Sequence, residues 1–468
     1  MKTLATSKYL LSDFELNKLP LDMSASVVSS KLAKYDKGIN IANLLNNTIE
    51  FKAGEDFENN VVVNVTCFEK RRKEIGDELK LSSIMSIHSS DIYSILKKIY
   101  GEEDIKEKDI KVEIDKIKLL SEDTNNLLLL FTTIYYENKA YTYLFFIGLN
   151  DVGVDVSLFN LIHEYDDIQN IQKVTSVSYS EQLSTISIIL GNNYHIVLKR
   201  DKKLSEEIHY SDEKVLEGPY IISLKNFSRF TNSEDKRTLY SSVNDAGNRI
   251  IVTDRDEEVK VRNNTNITNI GTFNSLVYDH KKSKWILEDR FFERNLNIRN
   301  LGEHVDLDKF GFKAITSSVY SVIDEQQNPV SKDVIYLLSR NHDKWKKLAR
   351  GIINGDVTNL KLIDDNDNLL VETTITENKD DGETHTFKKL NHLFREDDRF
   401  ATTALVDDSG IFQQVESLDP MEYISFINLD SNIYDCLVLV KDMLLEEDVF
   451  KLFTLKTQVV NVNPVDLK

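Results

Sequence analysis

Two spacings of hydrophobic residues alternate along the chain, and each predicts a different kind of element. One segment places four apolar residues on a single helical face: Ile92, Ile95, Leu96 and Ile99. Ser90 precedes this face as a candidate cap, and Gly101 follows it at a position suited to a left-handed stop. The pattern predicts a helix over residues 92–100 that docks through one apolar stripe.

From residue 110 the period shortens to two, which is typical of strands. Segments 127–136 and 141–149 are apolar on both faces, so they predict a hairpin of central, covered strands around residues 137–140. Further strands are predicted at short intervals, at residues 174–179, 185–190, 194–198, 220–224, 249–253, 275–278 and 284–287.

Beyond residue 300 the pattern is mixed. The spacing predicts strands and hairpins at residues 314–323, 333–338, 360–363, 369–376, 384–387, 402–406 and 411–415. It also predicts a basic amphipathic helix over residues 342–353, capped by Ser339 or Asn341 and ending near Gly355. The apolar stripe of this helix would be Trp345, Leu348, Ala349 and Ile352.

Many short strands with polar turns predict a β-rich α+β fold of antiparallel sheets with a few helices. The sheets could be meander, sandwich or barrel-like, and a propeller is a further alternative, although no fixed repeat length stands out. The length of 468 residues favours several domains. We place them at 1–105 (mixed α/β), 106–300 (β-meander), 301–357 (mixed, with the basic helix) and 358–468 (hairpin-rich).

Charge and cysteine content limit the cellular compartment and the partners that we expect for this protein. The net charge is −19, and such a field repels nucleic acid at long range. The two cysteines, Cys67 and Cys436, favour a reducing compartment. No signal peptide is recognised and the apolar runs are about ten residues, too short to span a bilayer. We therefore expect a soluble protein, cytoplasmic or in a virion, with no membrane partner.

Two basic groups stand out against this acidic background as candidate contacts for nucleic acid or a protein partner. The first lies on the predicted helix and comprises Lys344, Trp345, Lys346, Lys347 and Arg350. The second lies on the turn of the predicted 275–287 hairpin and just after it, and comprises Lys281, Lys282, Lys284, Arg290 and Arg294. Neighbouring acidic residues Glu288, Asp289 and Glu293 dilute the second group.

No catalytic, cofactor or metal motif is recognised. The chain lacks the nucleophile elbow, the phosphate loops and the zinc protease motif. His304, Asp306 and Asp308 would share one face of a strand, but such a set is commoner as a polar outer face than as a metal site. We therefore expect no enzyme activity, cofactor or metal.

These observations favour a non-enzymatic structural or scaffold subunit of a large assembly, with protein subunits or further copies of the chain as partners. The frequent Asn, Ile, Lys and Asp suit an AT-rich genome, which suggests a phage virion component. One alternative is a nucleic-acid-associated accessory subunit, for example in polymerase promoter recognition. Another is a β-propeller scaffold of a eukaryotic coat or pore.

Overall fold

The computed structural model describes the chain in segments. These are residues 26–29, 39–73, 76–122, 125–150, 153–180, 184–191, 194–199, 217–223, 238–257, 259–261, 265–267, 269–295, 297–323, 329–353, 355–362, 368–378, 384–396, 398–403, 421–430, 433–442 and 449–455. Antiparallel strands dominate these residues, which confirms the predicted β-rich fold class with a few helices.

Nine strands form the first two sheets, and two helices lie between β5 and β6 in the chain. They are β1 (Ser26–Ser29), β2 (Ile39–Leu44), β3 (Thr48–Phe51), β4 (Val61–Lys73), β5 (Gly76–His88), α1 (Ser89–Tyr100), α2 (Glu102–Glu107), β6 (Ile110–Glu122), β7 (Asn125–Tyr136), β8 (Lys139–Asn150) and β9 (Gly153–Tyr165). Sheet 1 has the order β1-β2-β4-β5, and sheet 2 has the order β3-β6-β7-β8-β9.

The next two sheets are four-stranded meanders. Their strands are β10 (Val174–Tyr179), β11 (Thr185–Leu190), β12 (Tyr194–Lys199), β13 (Glu217–Ser223), β14 (Leu239–Val243), β15 (Arg249–Asp254), β16 (Val259–Val261), β17 (Thr265–Ile267), β18 (Thr272–Asp279) and β19 (Lys284–Phe291). Sheet 3 has the order β10-β11-β12-β13 and sheet 4 the order β14-β15-β18-β19, with β16 and β17 as an inserted hairpin.

Three more sheets complete the described chain. Their strands are β20 (Ile298–Arg299), β21 (Val305–Leu307), β22 (Lys313–Ile323), β23 (Pro329–Asn341), β24 (Lys344–Ile352), β25 (Asp356–Leu362), β26 (Asn368–Asn378), β27 (Thr384–Glu396), β28 (Arg399–Thr403), β29 (Met421–Asp430), β30 (Ile433–Asp442) and β31 (Val449–Leu455). Strands β20 to β28 form one nine-stranded sheet, which we divide into sheet 5 (β20 to β24) and sheet 6 (β25 to β28), and sheet 7 comprises β29 to β31. One parallel pair, Arg350 with Arg399, joins sheets 5 and 6.

The first strands of the sheets contact one another in sequence, from β1 to β6, β10, β14, β21 and β25. Sheet 7 closes the circle, since β29 contacts both β27 and β1. Successive antiparallel meanders whose first strands surround a common axis are the architecture of a β-propeller. Of the alternatives that the sequence left open, strand order and strand contacts therefore favour the propeller.

Separate hydrophobic cores fill the spaces between consecutive sheets. Ile87, Val112 and Leu130 lie in the core between sheets 1 and 2, whereas Phe131 and Ile188 lie in the core between sheets 2 and 3. Three more cores follow between sheets 3 and 4, 4 and 5, and 5 and 6. Each of sheets 2 to 5 is therefore buried on both faces, which explains why the 127–136 and 141–149 segments lack polar faces.

The predicted helix near residue 92 is confirmed as α1, with Ile92, Ile95 and Leu96 buried. Its N-terminus begins earlier than predicted, because the Asp91 carboxylate accepts a hydrogen bond of 2.8 Å from the His88 backbone N–H. Gly101 ends the helix with φ of 92°, a conformation that favours glycine.

The hairpin of β7 and β8 is also confirmed. Glu137 and Asn138 form its two-residue turn, with φ of 49° and 62°. Positive φ at both central positions matches the right-handed twist of the flanking strands and suits asparagine better than most residues.

The helix predicted over residues 342–353 is wrong, because this segment is strand β24, paired antiparallel with β23. A β-bulge explains the misleading spacing. Leu337 pairs with Ala349 but Leu338 pairs with Lys347, so Leu348 is an extra residue. The bulge reverses the alternation, which places Trp345 in the core shared with sheet 4 and Ala349 in the core shared with sheet 6.

The predicted domain limits near residues 105, 300 and 357 each lie at a passage between two consecutive sheets, and as domain limits they stay predictions. The hairpin predicted over residues 402–415 falls largely on residues 404–420, outside the described residues. Within the described part of the chain, no helix is both long enough and apolar enough to cross a membrane.

Candidate functional site

The two basic groups predicted from the sequence meet where sheet 4 contacts sheet 5. Strand β19 lies against β24, and Lys344 Nζ is 2.8 Å from Asp289 Oδ1. The other oxygen of Asp289 accepts a hydrogen bond of 2.7 Å from the Trp345 N–H. Lys347 Nζ is 3.0 Å from Glu293 Oε2. The acidic residues of one hairpin therefore neutralise cations of the other.

The remaining candidates of the first group are split between surface and core. Lys346 is exposed, whereas Trp345 is only 4% exposed and packs against Phe273 with ring centroids 5.2 Å apart. The Arg350 backbone N–H donates to the Asp398 carbonyl at 3.1 Å. Trp345 is thus a core residue and offers no stacking surface to a nucleic acid.

The second group is spread over a turn, a strand and the segment after it. Lys281, Lys282 and Lys284 are exposed, and Lys282 Nζ lies 3.4 Å from Asp279 Oδ2. Arg290 forms an ion pair with the buried Glu257, and Arg294 is exposed. The structure does not gather these cations into one surface.

A buried ion cluster lies beneath these hairpins and was not predicted from the sequence. Glu288 accepts hydrogen bonds from the Arg249 guanidinium at 3.0 and 3.1 Å, from Arg340 Nε at 3.1 Å and from Ser275 Oγ at 3.0 Å. Three different strands of sheets 4 and 5 supply the partners of this carboxylate. One carboxylate therefore ties the two sheets together.

The His304, Asp306 and Asp308 set does not converge on a metal. His304 Nε2 lies 2.9 Å from the Val357 carbonyl oxygen, and Asp306 accepts from the Leu362 N–H at 2.9 Å. Asp308 instead accepts hydrogen bonds from backbone N–H groups in the turn between β21 and β22. Across the described segments, no group of three or more His, Cys, Asp or Glu residues is arranged to hold a metal ion.

A serine and a histidine are hydrogen bonded inside sheet 3. Ser187 Oγ is 2.6 Å from His195 Nε2, and both residues are completely buried. Burial lowers the pKa of His195 to about 3, so the imidazole is neutral at physiological pH. Since solvent reaches neither group, the pair is a structural contact between neighbouring strands.

A shallow pocket of about 390 Å³ lies where β9 approaches β12. Its lining residues are His163, Glu164, Tyr165, Asp166, Asp167, Gln172 and Tyr194. The His163 ring packs on Tyr165 and Tyr194 at 4.5 and 5.3 Å, and Glu164 pairs with Lys139 at 2.7 Å. Aromatic packing thus accounts for the position of His163, and ion pairing accounts for that of Glu164.

Two large aromatic residues are exposed together on the turn between β21 and β22. Phe310 and Phe312 keep 56% and 54% of their surface exposed. The Asp308 carboxylate fixes the turn by accepting hydrogen bonds from the Phe312 N–H at 2.7 Å and the Lys313 N–H at 2.9 Å. We call residues 308–312 the aromatic turn.

Contacts with sheet 4 and with strand β23 of its own sheet hold the aromatic turn in place. The Asp245 N–H donates to the Lys309 carbonyl at 3.1 Å, and the Arg340 N–H donates to the Phe312 carbonyl at 2.8 Å. Gly311 has φ of 75°, and a Cβ there would lie 3.0 Å from Arg249 Cδ. These contacts therefore fix the backbone that carries the two exposed rings.

Sequence reasoning missed the aromatic turn because its signal is short. The pattern of residues 308–312 predicts a polar turn followed by a strand. It does not predict which of the side chains are exposed to solvent. The cluster around Glu288 was missed because its partners are 39 and 52 residues away in the sequence.

Comparison with known proteins assigns neither a family nor a function to this chain. No protein-family model matches the chain, and no curated protein matches it in sequence. Among solved structures, the β-propeller domain of Cps50 (Swd1) from Myceliophteria thermophila is similar, with a TM-score of 0.31 and 8% identity. That match covers 74% of this chain and 95% of the other. Because the score is low, the propeller assignment rests on strand order and sheet contacts.

Proposed function

We propose that this protein is a non-enzymatic scaffold subunit that binds a partner protein through the aromatic turn. The supporting observation is the exposure of Phe310 and Phe312 on a backbone held by Asp308. Burying a phenylalanine side chain is worth about 1.5–3 kcal/mol, so two exposed rings on one rigid turn are a ready anchor. The partner is a protein subunit with an apolar cleft.

The turns beside the aromatic turn extend this surface. Thr185 Oγ1 donates to the Gly247 carbonyl at 2.5 Å, which brings the first turn of sheet 3 against the first turn of sheet 4. Gly311 in turn packs on Asn244 and Arg249 of sheet 4. A partner that covers the aromatic turn would therefore also meet the first turns of sheets 3 and 4.

The non-enzymatic part of the proposal is supported by the use of buried acids as structural acceptors. Asp289, Asp306 and Asp333 each accept a backbone N–H from a neighbouring strand, at 2.7, 2.9 and 2.6 Å. Each of these carboxylates therefore has a structural role, which is to fix the end of a neighbouring strand.

The alternative of a nucleic-acid accessory subunit has less support, because Lys344 and Lys347 are paired with carboxylates. The virion interpretation rests on composition alone and stays a prediction.

The test is a mass measurement on complexes formed by the tagged chain in its native cells. Phe310→Ser with Phe312→Ser is compared with Ile168→Ser, since Ile168 is also exposed (40%) but lies elsewhere. We expect wild type and Ile168→Ser to be recovered in a complex heavier than 54.0 kDa, and the double variant as a monomer. A double variant recovered in the same complex would overturn the proposal.

A second arm identifies self-association. If the purified wild-type chain alone forms an oligomer that the double variant loses, the partner is another copy of the chain. Circular dichroism of each variant confirms that the fold is retained.

A further inference from the structure

Two lysines flank the exposed rings of the aromatic turn. Lys309 and Lys313 lie on either side of the segment from Phe310 to Phe312, and both keep part of their surface exposed. Lys309 Nζ lies over the Phe310 ring, 4.7 Å from its centroid, so a cation–π contact holds this charge beside the ring. We call Lys309 and Lys313 the flanking lysines.

The acidic residue of the same segment is used inside the turn. Asp308 is only 8% exposed, and its carboxylate accepts the two hydrogen bonds from backbone N–H groups that fix the turn. The exposed part of residues 308–313 therefore consists of two apolar rings and two basic side chains, on a chain whose net charge is −19.

The turns that adjoin the flanking lysines carry both signs of charge, but two of their acids contact cations of the same turns. Asp343 lies 3.0 Å from Arg340, and Asp279 lies 3.4 Å from Lys282. Asp245, whose backbone N–H donates to the aromatic turn at 3.1 Å, is partly exposed beside it. The surroundings of the rings are therefore slightly positive, in contrast to the chain as a whole.

We propose that the apolar cleft that receives the aromatic turn has an acidic rim, formed by Asp and Glu side chains of a different protein. This inference rests on the proposed function and adds the charge of the partner to it. Insertion of the two rings brings the flanking lysines to the edge of the contact, where the polar groups of an interface are concentrated. Carboxylates on the rim pair with these lysines, fix the orientation of the partner and disfavour partners of the wrong charge.

The net charge of the chain argues against other occupants. A second copy would bring a further charge of −19 to the contact, and DNA or an anionic membrane would present an extended anionic surface. The field of the whole chain repels both. A few carboxylates on a cleft rim interact mainly within about 8 Å, the screening length at physiological salt, so the flanking lysines act on them more strongly than distant acids do.

The experiment is zero-length cross-linking of the complex recovered with the tagged wild-type chain from its native cells. A carbodiimide joins a lysine amine to a carboxylate where the two groups touch, and mass spectrometry of the digest identifies both residues. We expect amide links from Lys309 or Lys313 to Asp or Glu of another protein. If these links are missing from a complex that Phe310→Ser with Phe312→Ser abolishes, the acidic rim is overturned but the proposed function is not. If that double variant keeps the complex, both are overturned.

Charge reversal gives an independent measurement. Lys309→Glu with Lys313→Glu should lower recovery of the partner on the order of tenfold, because like charges then meet at the rim. Lys309→Arg with Lys313→Arg should retain it. The matched control is Lys52→Glu with Lys332→Glu, which reverses two exposed lysines elsewhere and should leave recovery unchanged.

Two results of this second measurement would overturn the acidic rim. One is undiminished recovery of the partner with the reversed pair, and the other is recovery of a second copy of the chain, a lipid or a nucleic acid in place of a different protein. Circular dichroism checks the fold of each variant. If the reversed pair fails to fold, Lys313→Glu alone gives the same test, since the contact of Lys309 with the Phe310 ring is then kept.

Discussion

Lysines of this acidic chain occur in two contrasting settings. Where sheet 4 meets sheet 5, Lys344 and Lys347 face Asp289 and Glu293 at 2.8 and 3.0 Å. On β6, burial and repulsion from Lys116 and Lys361 lower the pKa of Lys118. The lysines between sheets 4 and 5 are easily recognised in the sequence, because they are nearly consecutive. The lysines that act on Lys118 are not, because they lie on two distant strands.

The contrast shows that charge density along a sequence differs from charge available to a ligand. Antiparallel pairing of β23 with β24 brings the consecutive cations of β24 beside the acidic strand β19. The residues that dilute the basic group in the sequence are therefore its partners in space. Lys118 instead experiences repulsion from lysines on β6 and on β25, two strands that lie far apart in the chain.

The largest expected effect is the loss of stability when the carboxylate at the centre of the buried ion cluster is removed. Glu288→Gln leaves the guanidinium groups of Arg249 and Arg340 without their carboxylate, at side-chain exposures of only 9% and 15%. Removing one partner of a buried ion pair costs about 3–5 kcal/mol, so the unfolding free energy measured in urea should fall by that amount. Asp343→Asn is the control, because Asp343 contacts Arg340 but is 81% exposed and should cost less than about 1 kcal/mol. Equal losses in the two variants would contradict a buried cluster.

A second prediction concerns a buried carboxylate held by a backbone N–H. Burial raises the pKa of Asp333 to about 6 from an ordinary value of 3.8. The folded state then binds the proton more tightly than the unfolded chain, so this group favours folding at pH 4 and the contribution is lost as pH rises through 6. The stability difference between wild type and Asp333→Asn should shift toward wild type by roughly 2–3 kcal/mol between pH 7.5 and 4.

Comparing the two proteins at each pH cancels the titration of other groups, including His195. Urea unfolding at four pH values gives the result. A stability difference that is independent of pH would show that Asp333 titrates normally.

A smaller effect is expected at Lys118. Lys118→Met removes a charge that like charges repel, so the variant should be as stable as wild type or more stable by up to about 1 kcal/mol. The gain should shrink as salt rises from about 0.05 to 0.5 M, because screening weakens the repulsion in the parent protein. Thermal unfolding at both salt concentrations measures it. A loss larger than that of Lys344→Met would contradict the contrast between the two regions.

The smallest effect is expected on nucleic-acid binding through β24. Changing Lys346, Lys347 and Arg350 to Glu should leave the anisotropy of a labelled DNA duplex unchanged at about 0.15 M salt. The reason is that Lys347 is already paired and the net charge of −19 repels DNA. Salt-sensitive binding by wild type that the triple variant loses would restore the accessory-subunit alternative.

Local elements were predicted well where one period of hydrophobicity was undisturbed. The β7–β8 hairpin, α1 and the short strands β11 and β12 of sheet 3 follow from spacing and turn residues alone. The error at 342–353 came from the bulge at Leu348, since an extra residue in a strand produces the spacing of a helix.

The ring and the sites could not be predicted in the same way. Which sheets face each other depends on contacts such as those from β1 to β29, and no repeat in the sequence marks their order. Exposure of Phe310 and Phe312 and the repulsion between Lys118 and Lys361 depend on the same non-local packing. Local charge therefore selects candidate contact residues without showing which of them are paired in space, and as contact residues they stay predictions.

The most direct measurement of the contrast is the titration of individual lysines by NMR after reductive ¹³C-methylation, with Lys118→Arg and Lys344→Arg to assign the signals. We expect Lys118 to titrate below the ordinary lysine pKa of 10.5 and Lys344 above it, because burial and like charges act on the first and Asp289 on the second. If both lysines titrate at the ordinary value, the two regions are electrostatically alike and the contrast between them is contradicted.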